Sequence, residues 1–296
     1  MKDSFSQLNP FVNLIFFVFA VVLTMFTLNP ICIGISLVCA MLNALYLNGK
    51  RAVRLSLLYL LPMLAFIAVI NPLFSHQGVT ILTYFPWGNP LTLESILYAI
   101  ATAVLLCATV LWFSCFNSIM TSDKFVYLFG RLAPALSLVL SMTLRFVPKF
   151  SSQLKRVRDA QKCIGRDVSN GGLIGRIKHG VKIISIMITW SLENAVETAD
   201  SMKSRGHGLK GRTAYSIYRF TNRDLAVLCF EVLLGAAACV LLFCGFCEFW
   251  YYPSVSGNLL DGLCVLDYVI YAAFMLMPFA INVWEGAKWK RLRSKI

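Results

Sequence analysis

Residues 96–119 read ILYAIATAVLLCATVLWFSCFNSI, twenty-four residues without one charged side chain. A helix of about 20 apolar residues is enough to cross a bilayer. The surroundings extend this reading: residues 55–123 and 225–287 contain no Lys or Arg at all. Further apolar runs of near-spanning length cover 11–28, 31–47, 55–74, 225–246 and 264–283. Asn29-Pro30 breaks the first two apart, because proline restricts the residue before it and cannot continue a helical ladder. The expected fold is all-α, a polytopic helical membrane protein with amphipathic cytoplasmic coupling helices.

Composition agrees. The chain is 58% hydrophobic and 14% charged, where a water-soluble domain carries about a quarter charged residues. Lipid covers an apolar exterior that water would not tolerate.

The net charge of +13 is unevenly spread: sixteen of the 27 Lys and Arg fall between Arg145 and Asp224. By the positive-inside rule this segment is cytoplasmic. Lys50, Arg51 and Arg54 put a second loop inside, as Lys124 does for a third. Residues 75–95 and 248–263 have no basic side chain and are aromatic, so they belong outside. The tail with Lys288, Lys290, Arg291, Arg293 and Lys295 returns inside. Both termini are then cytoplasmic, which requires an even number of crossings, and six fits. Residues 125–144 are apolar but carry Arg131 and Pro134, with both flanks basic. An Arg at mid-membrane costs about 3 kcal/mol on insertion scales, so this piece is expected at the inner face or dipping into it. Three divisions follow: 1–144 for the N-terminal membrane helices, 145–223 for a basic cytoplasmic segment, and 224–296 for the C-terminal membrane helices and tail.

The basic segment has helical periodicity. Val147, Phe150, Leu154, Val157 and Ile164 share one face, while Lys155, Arg158, Lys162 and Arg166 line another. Pro148 suits the first turn of this helix, and Gly165 with Gly171-Gly172 lets the chain stop and turn. A second helix is expected over 173–204. Its apolar stripe is Ile184, Ile188, Leu192, Val196 and Ala199, with Glu193, Glu197 and Asp200 beside it. Gly206 and Gly208 end it, with Arg205 at the terminus. Both helices are too charged to span. Their stripes need burial, against each other and against the membrane helices. Most of the basic side chains suit anionic lipid, at about 1 kcal/mol each. Arg205, flanked by backbone that a partner can approach, suits a docked protein.

The missing motifs narrow the function. There is no GxxxxGK[ST], so the chain is not expected to hydrolyse ATP itself. His76, His179 and His207 are far apart and no HExxH occurs. Cys244 and Cys247 form a CxxC without a second pair, and the ten cysteines show no disulfide or zinc spacing. The spans carry almost no carboxylate, Glu231 near a helix start being the main exception. That scarcity disfavours a self-sufficient proton-coupled carrier. No cofactor, resident metal or nucleic acid is expected.

Three ordered stretches carry a resemblance. One is Asn71-Pro72-Leu73-Phe74-Ser75-His76-Gln77-Gly78, continuing through Asn89-Pro90-Leu91-Thr92. The second is Leu144-Arg145-Phe146-Val147-Pro148, followed by Asp159-Ala160-Gln161. The third is Met202-Lys203-Ser204-Arg205-Gly206. Together they resemble the transmembrane T component of energy-coupling factor (ECF) transporters, the EcfT/CbiQ-like family, over about residues 11–246.

The resemblance implies a non-catalytic scaffold in a bacterial cell membrane. Two coupling helices, each with a small residue–Arg–Gly motif, would dock on two ABC-type ATPase subunits. They would pass ATP-driven motion to a separate substrate-binding membrane S component that takes up a vitamin or a metal ion. Ser204, Arg205 and Gly206 match the second motif. For the first, Arg166 is the candidate, with Gly165 before it and Asp167 where glycine is expected, a register shift of about one residue. Arg158 is the fallback. The competing readings are a self-sufficient channel or carrier and a membrane-embedded enzyme.

Overall fold

The computed structural model describes residues 3–75, 77–84, 90–166, 172–209, 218–245, 247–257 and 262–293. Two compact units emerge. One combines Met1–Lys124 with Tyr218–Ile296, and the other is Phe125–Ile217.

The first unit holds the membrane helices. These are α1 (Pro10–Phe26), α2 (Pro30–Asn48), α3 (Lys50–Leu55), α4 (Leu61–Phe74), α5 (Leu93–Ile119), α9 (Asn222–Phe243) and α10 (Gly262–Arg293). Five stretches among the described residues are long and apolar enough to cross a membrane: Pro30–Asn48, Ala52–Phe74, Leu93–Ile119, Asn222–Phe243 and Gly262–Arg293. The shorter Pro10–Phe26 is the sixth apolar helix. All six sequence-predicted spans therefore have a helix.

Two helices start the same way. Asn9 and Asn29 each precede a proline at the first helical position. Their side chains accept from the Phe11 N–H at 3.1 Å and the Ile31 N–H at 3.0 Å. The cap satisfies an orphan donor, and the proline sits where its missing N–H costs nothing. Between α3 and α4 the helix widens into a π turn at Ser56–Leu60. Pro62 lies two residues further on and cannot donate into the ladder, which accounts for the local widening.

The core is aromatic. The Phe16 ring lies 5.0 Å from Phe274, 5.4 Å from Phe5 and 5.9 Å from Trp112, centroid to centroid. The Trp112 indole N–H donates to Ser36 Oγ at 3.0 Å, and Ser36 Oγ lies 2.8 Å from Thr24 Oγ1. Lipid is as apolar as these side chains, so close packing and interhelical hydrogen bonds hold such a bundle together. Glu231 departs from the expectation of a helix-start residue. It is wholly buried within α9, and neither oxygen has a partner among the described residues.

The loops that the charge pattern separates gather at opposite ends of this unit. At one end Tyr251 donates to the Leu28 carbonyl at 3.1 Å, and Ser75 meets the Tyr252 hydroxyl at 3.1 Å. At the other, Lys124 bonds Ser6, and the Phe5 N–H reaches Asn282 in α10 at 2.9 Å. One element falls outside the all-helical expectation, a small antiparallel pair of β1 (Ile81–Tyr84) and β2 (Pro90–Thr92). It closes the loop that begins with the Asn71-to-Gly78 stretch. A Cβ on Gly78 would fall 2.6 Å from Glu94 Oε2 and 2.8 Å from Thr92 Oγ1, so only glycine fits there.

The second unit contains α6 (Ser122–Leu132, which begins just before the unit boundary), α7 (Pro134–Cys163) and α8 (Leu173–Ser204). The divisions at 144 and 223 follow charge, whereas the compact units divide at 124 and 217. The reason is local: the Ser137 hydroxyl of α7 donates back to the Val126 carbonyl at 3.0 Å, tying residues 125–144 into one hairpin. α6 has 11 residues, about 16 Å, too short to cross a bilayer of about 30 Å. The expected helix start at Pro148 is corrected. α7 begins at Pro134 and runs through Pro148 as an interior proline.

Candidate functional site

The two helix ends that carry the arginine motifs close in the same way. In α8, Arg205 is the C-cap, and Gly206 follows at φ +79°. The Gly206 N–H returns to the Lys203 carbonyl at 3.0 Å, and the His207 N–H to Met202 at 3.0 Å. In α7, Ile164 is the C-cap and Gly165 follows, also at φ +79°. Its N–H returns to Lys162 at 3.0 Å, and the Arg166 N–H to Gln161 at 3.0 Å. Both are Schellman closures, in which a left-handed glycine lets two backbone donors satisfy the last carbonyls.

The two closing glycines hold matching positions, and Gly165 precedes Arg166. Arg205 instead comes one residue before its glycine. The two arginines therefore differ by two cap positions, and Ile164 stands where Arg205 does. Arg158, Arg166 and Arg205 are all exposed, and none of their guanidinium groups has an ion-pair or hydrogen-bond partner among the described residues. The Ser204 hydroxyl is used internally, donating to the Ser201 carbonyl at 2.9 Å. Asp167 lies outside the described residues.

α7 and α8 meet near their midpoints. Trp190 stacks on Phe146 at 5.7 Å and lies 6.4 Å from Phe150, while the Lys149 ammonium sits 5.7 Å from the Trp190 ring and bonds Asn194. From that contact each helix runs on to its arginine end for about 21 Å, at 1.5 Å per residue.

Within this unit the two stripes cover each other only around this crossing. Ile183 and Met187 are buried, but Ile184 is 58% exposed, Ile188 55%, Leu192 65% and Val196 63%. With Phe150 and Leu154, three of these line an open apolar groove of about 290 Å³. The sequence signalled the stripe but not its exposure.

A polar knot at the base of the first unit was not anticipated. Lys124 is 3% exposed and Asp224 4% exposed. Lys124 Nζ donates to the Ser6 carbonyl at 2.6 Å and lies 3.1 Å from Ser6 Oγ. With the Asn13 amide turned to suit its neighbours, Asn13 also accepts from Nζ at 3.0 Å. Burial pushes the Lys124 amine down to about 8, partly offset by the nearby Asp3 carboxylate. Burial likewise pushes the Asp3 carboxyl up. The sequence signal was present: Lys124 is the sole basic residue between Arg54 and Arg131.

A bundle of apolar helices plus a basic helical unit with an exposed arginine at two of its helix ends defines a polytopic membrane protein. The family described as CbiQ, cobalt transport protein, matches residues 1–215, and the chain belongs to that family. Among similar proteins is the energy-coupling factor transporter transmembrane protein EcfT of Lactobacillus helveticus, 37% identical over 100 residues, 33% of this chain and 36% of that protein. EcfT 1 of Listeria monocytogenes is 28% identical over 193 residues, 60% of this chain and 71% of its own length. A putative ABC transporter ATP-binding protein of Bifidobacterium longum is 26% identical over 250 residues, 80% of this chain but 31% of that protein.

Proposed function

We propose that this chain is the T component of an ECF-type importer, a non-catalytic membrane scaffold in a bacterial cell membrane with both termini cytoplasmic. Its two helix ends bearing Arg166 and Arg205 dock on two ABC-type ATPase subunits. The exposed stripe of α8 takes a separate substrate-binding membrane protein, through which a vitamin or a metal ion is taken up. Anionic lipid receives much of the remaining basic charge.

One observation carries this reading. Two long helices of one unit cross near their middles and end in matching glycine closures, each beside a guanidinium without a partner among the described residues. An unpaired Arg fork on a rigid cap is preorganised for carboxylates or backbone carbonyls of another protein. The Bifidobacterium longum protein adds support: its likeness to this chain occupies under a third of a polypeptide named for ATP binding. The alternative, a self-sufficient channel or carrier, has no such use for an uncovered apolar stripe.

Extraction of the chain in mild detergent from its own membranes tests the proposal. Two ATPase subunits and one small membrane protein should co-purify in fixed ratio. A chain that purifies alone and transports substrate in liposomes would refute it.

A further inference from the structure

Residues 4–13 hold the chain on both sides of the Phe125–Ile217 unit. Upstream, Lys124 is the last residue before that unit. Its buried ammonium bonds the Ser6 carbonyl at 2.6 Å and Asn13 at 3.0 Å. Downstream, the chain returns at Tyr218, and the Thr221 hydroxyl and Asp224 form a capping box at the start of α9. Asp224 Oδ2 accepts from the Thr221 N–H at 2.9 Å and the Thr221 hydroxyl at 2.7 Å. Its other oxygen accepts from the Asn9 N–H at 3.2 Å. The same short segment thus meets both junctions, and α10 holds it in turn through Asn282 and the Phe5 N–H at 2.9 Å.

These joints are polar and buried. Lys and Asp are seldom buried without partners, and hydrogen bonds at fixed angles specify one arrangement where apolar contact would let the chain slide. A unit that receives force must be fixed where it meets the body it drives. Otherwise the joints absorb the displacement.

We propose that residues 4–13 are the anchor of the coupling unit. Through Lys124 and Asp224, as positioning residues, they clamp both junctions to the membrane helices so that motion is transmitted instead of lost. This inference rests on the T-component reading.

Lys124→Met and Asp224→Ala, in the complete complex reconstituted into liposomes, test it. Assembly and ATP hydrolysis should match wild type, while substrate taken up per ATP hydrolysed falls by about five-fold or more. Unchanged uptake per ATP overturns the anchor. So does a parallel fall of assembly, hydrolysis and uptake, which is what a purely structural role gives. Should the variants fail to insert, hydrogen exchange on the wild-type complex decides. The amides of residues 5–13 and 221–225 should stay equally protected with and without ATP, and loss of protection at Asn9 on ATP binding overturns the proposal. A wild-type preparation without ATPase subunits overturns the T-component reading, and the anchor with it. A coupled wild type with either adverse result overturns the anchor alone.

Discussion

Gly165 and Gly206 hold the same position in two helices of one unit, each at φ +79° one residue past a C-cap. The left-handed conformation costs an L-residue about 1 kcal/mol or more. Gly206→Ala and Gly165→Ala should each loosen the last turn without unfolding the unit. Hydrogen exchange of the amides at 205–207 and 164–166 should accelerate locally, with the apparent melting temperature nearly unchanged.

The uncovered stripe gives a second test. Ile188 and Leu192 are more than half exposed, so Ile188→Asp or Leu192→Lys should change thermal stability by no more than about 0.5 kcal/mol. Under the proposed function, either variant should still bring down the ATPases but lose the small membrane protein. Retention of that partner at wild-type yield argues against the α8 face as its seat.

Inside the bundle, Ser36→Ala removes the acceptor of the Trp112 N–H, which is wholly buried. The orphaned donor should cost about 1 kcal/mol, toward the low end for buried groups because membrane hydrogen bonds measure weak. Thermal unfolding in detergent reads this directly. An unchanged midpoint would mean that the indole has found another acceptor.

Lys124 gives a pH dependence. Its folded value of about 8 lies below the ordinary lysine value of 10.5, so the unfolded chain binds more protons between those limits. The cost of burying the charge is therefore present in full below pH 8 and is relieved as pH rises toward 10.5. Relative to Lys124→Met, wild type should gain about 2 kcal/mol between pH 7.5 and 9.5. Paired thermal scans at the two pH values check the sign. A gap that does not change would place the amine in water.

Much of this was legible in the residues. Six apolar runs became six helices because length and the absence of charge decide what lipid tolerates. The span of α8 was readable because Gly206 stops it and the stripe at 184, 188, 192 and 196 keeps a helical step. Pro148 misled, since a proline that suits a first turn can also sit inside a helix held by its neighbours, and Pro134 was the true start. Linear matching sought a glycine after Arg166, and no sequence pattern showed that Gly165, one residue before it, closes α7 as Gly206 closes α8. The Lys124 and Asp224 joints were hidden because their partners lie more than a hundred residues away. Lys124 stood out as an isolated Lys between Arg54 and Arg131, but no local pattern names a hydrogen-bond partner so far along the chain.

The central claim is that force enters through guanidinium groups on the helix caps, and affinity for the purified ATPase pair tests it most directly. Arg205→Glu should weaken that binding by about 2 kcal/mol or more, some thirty-fold, with insertion and melting temperature unchanged. Lys155→Glu, an exposed charge within the α7 helix and away from its end, should change it little. Equal ATPase affinity for wild type and Arg205→Glu would contradict the account.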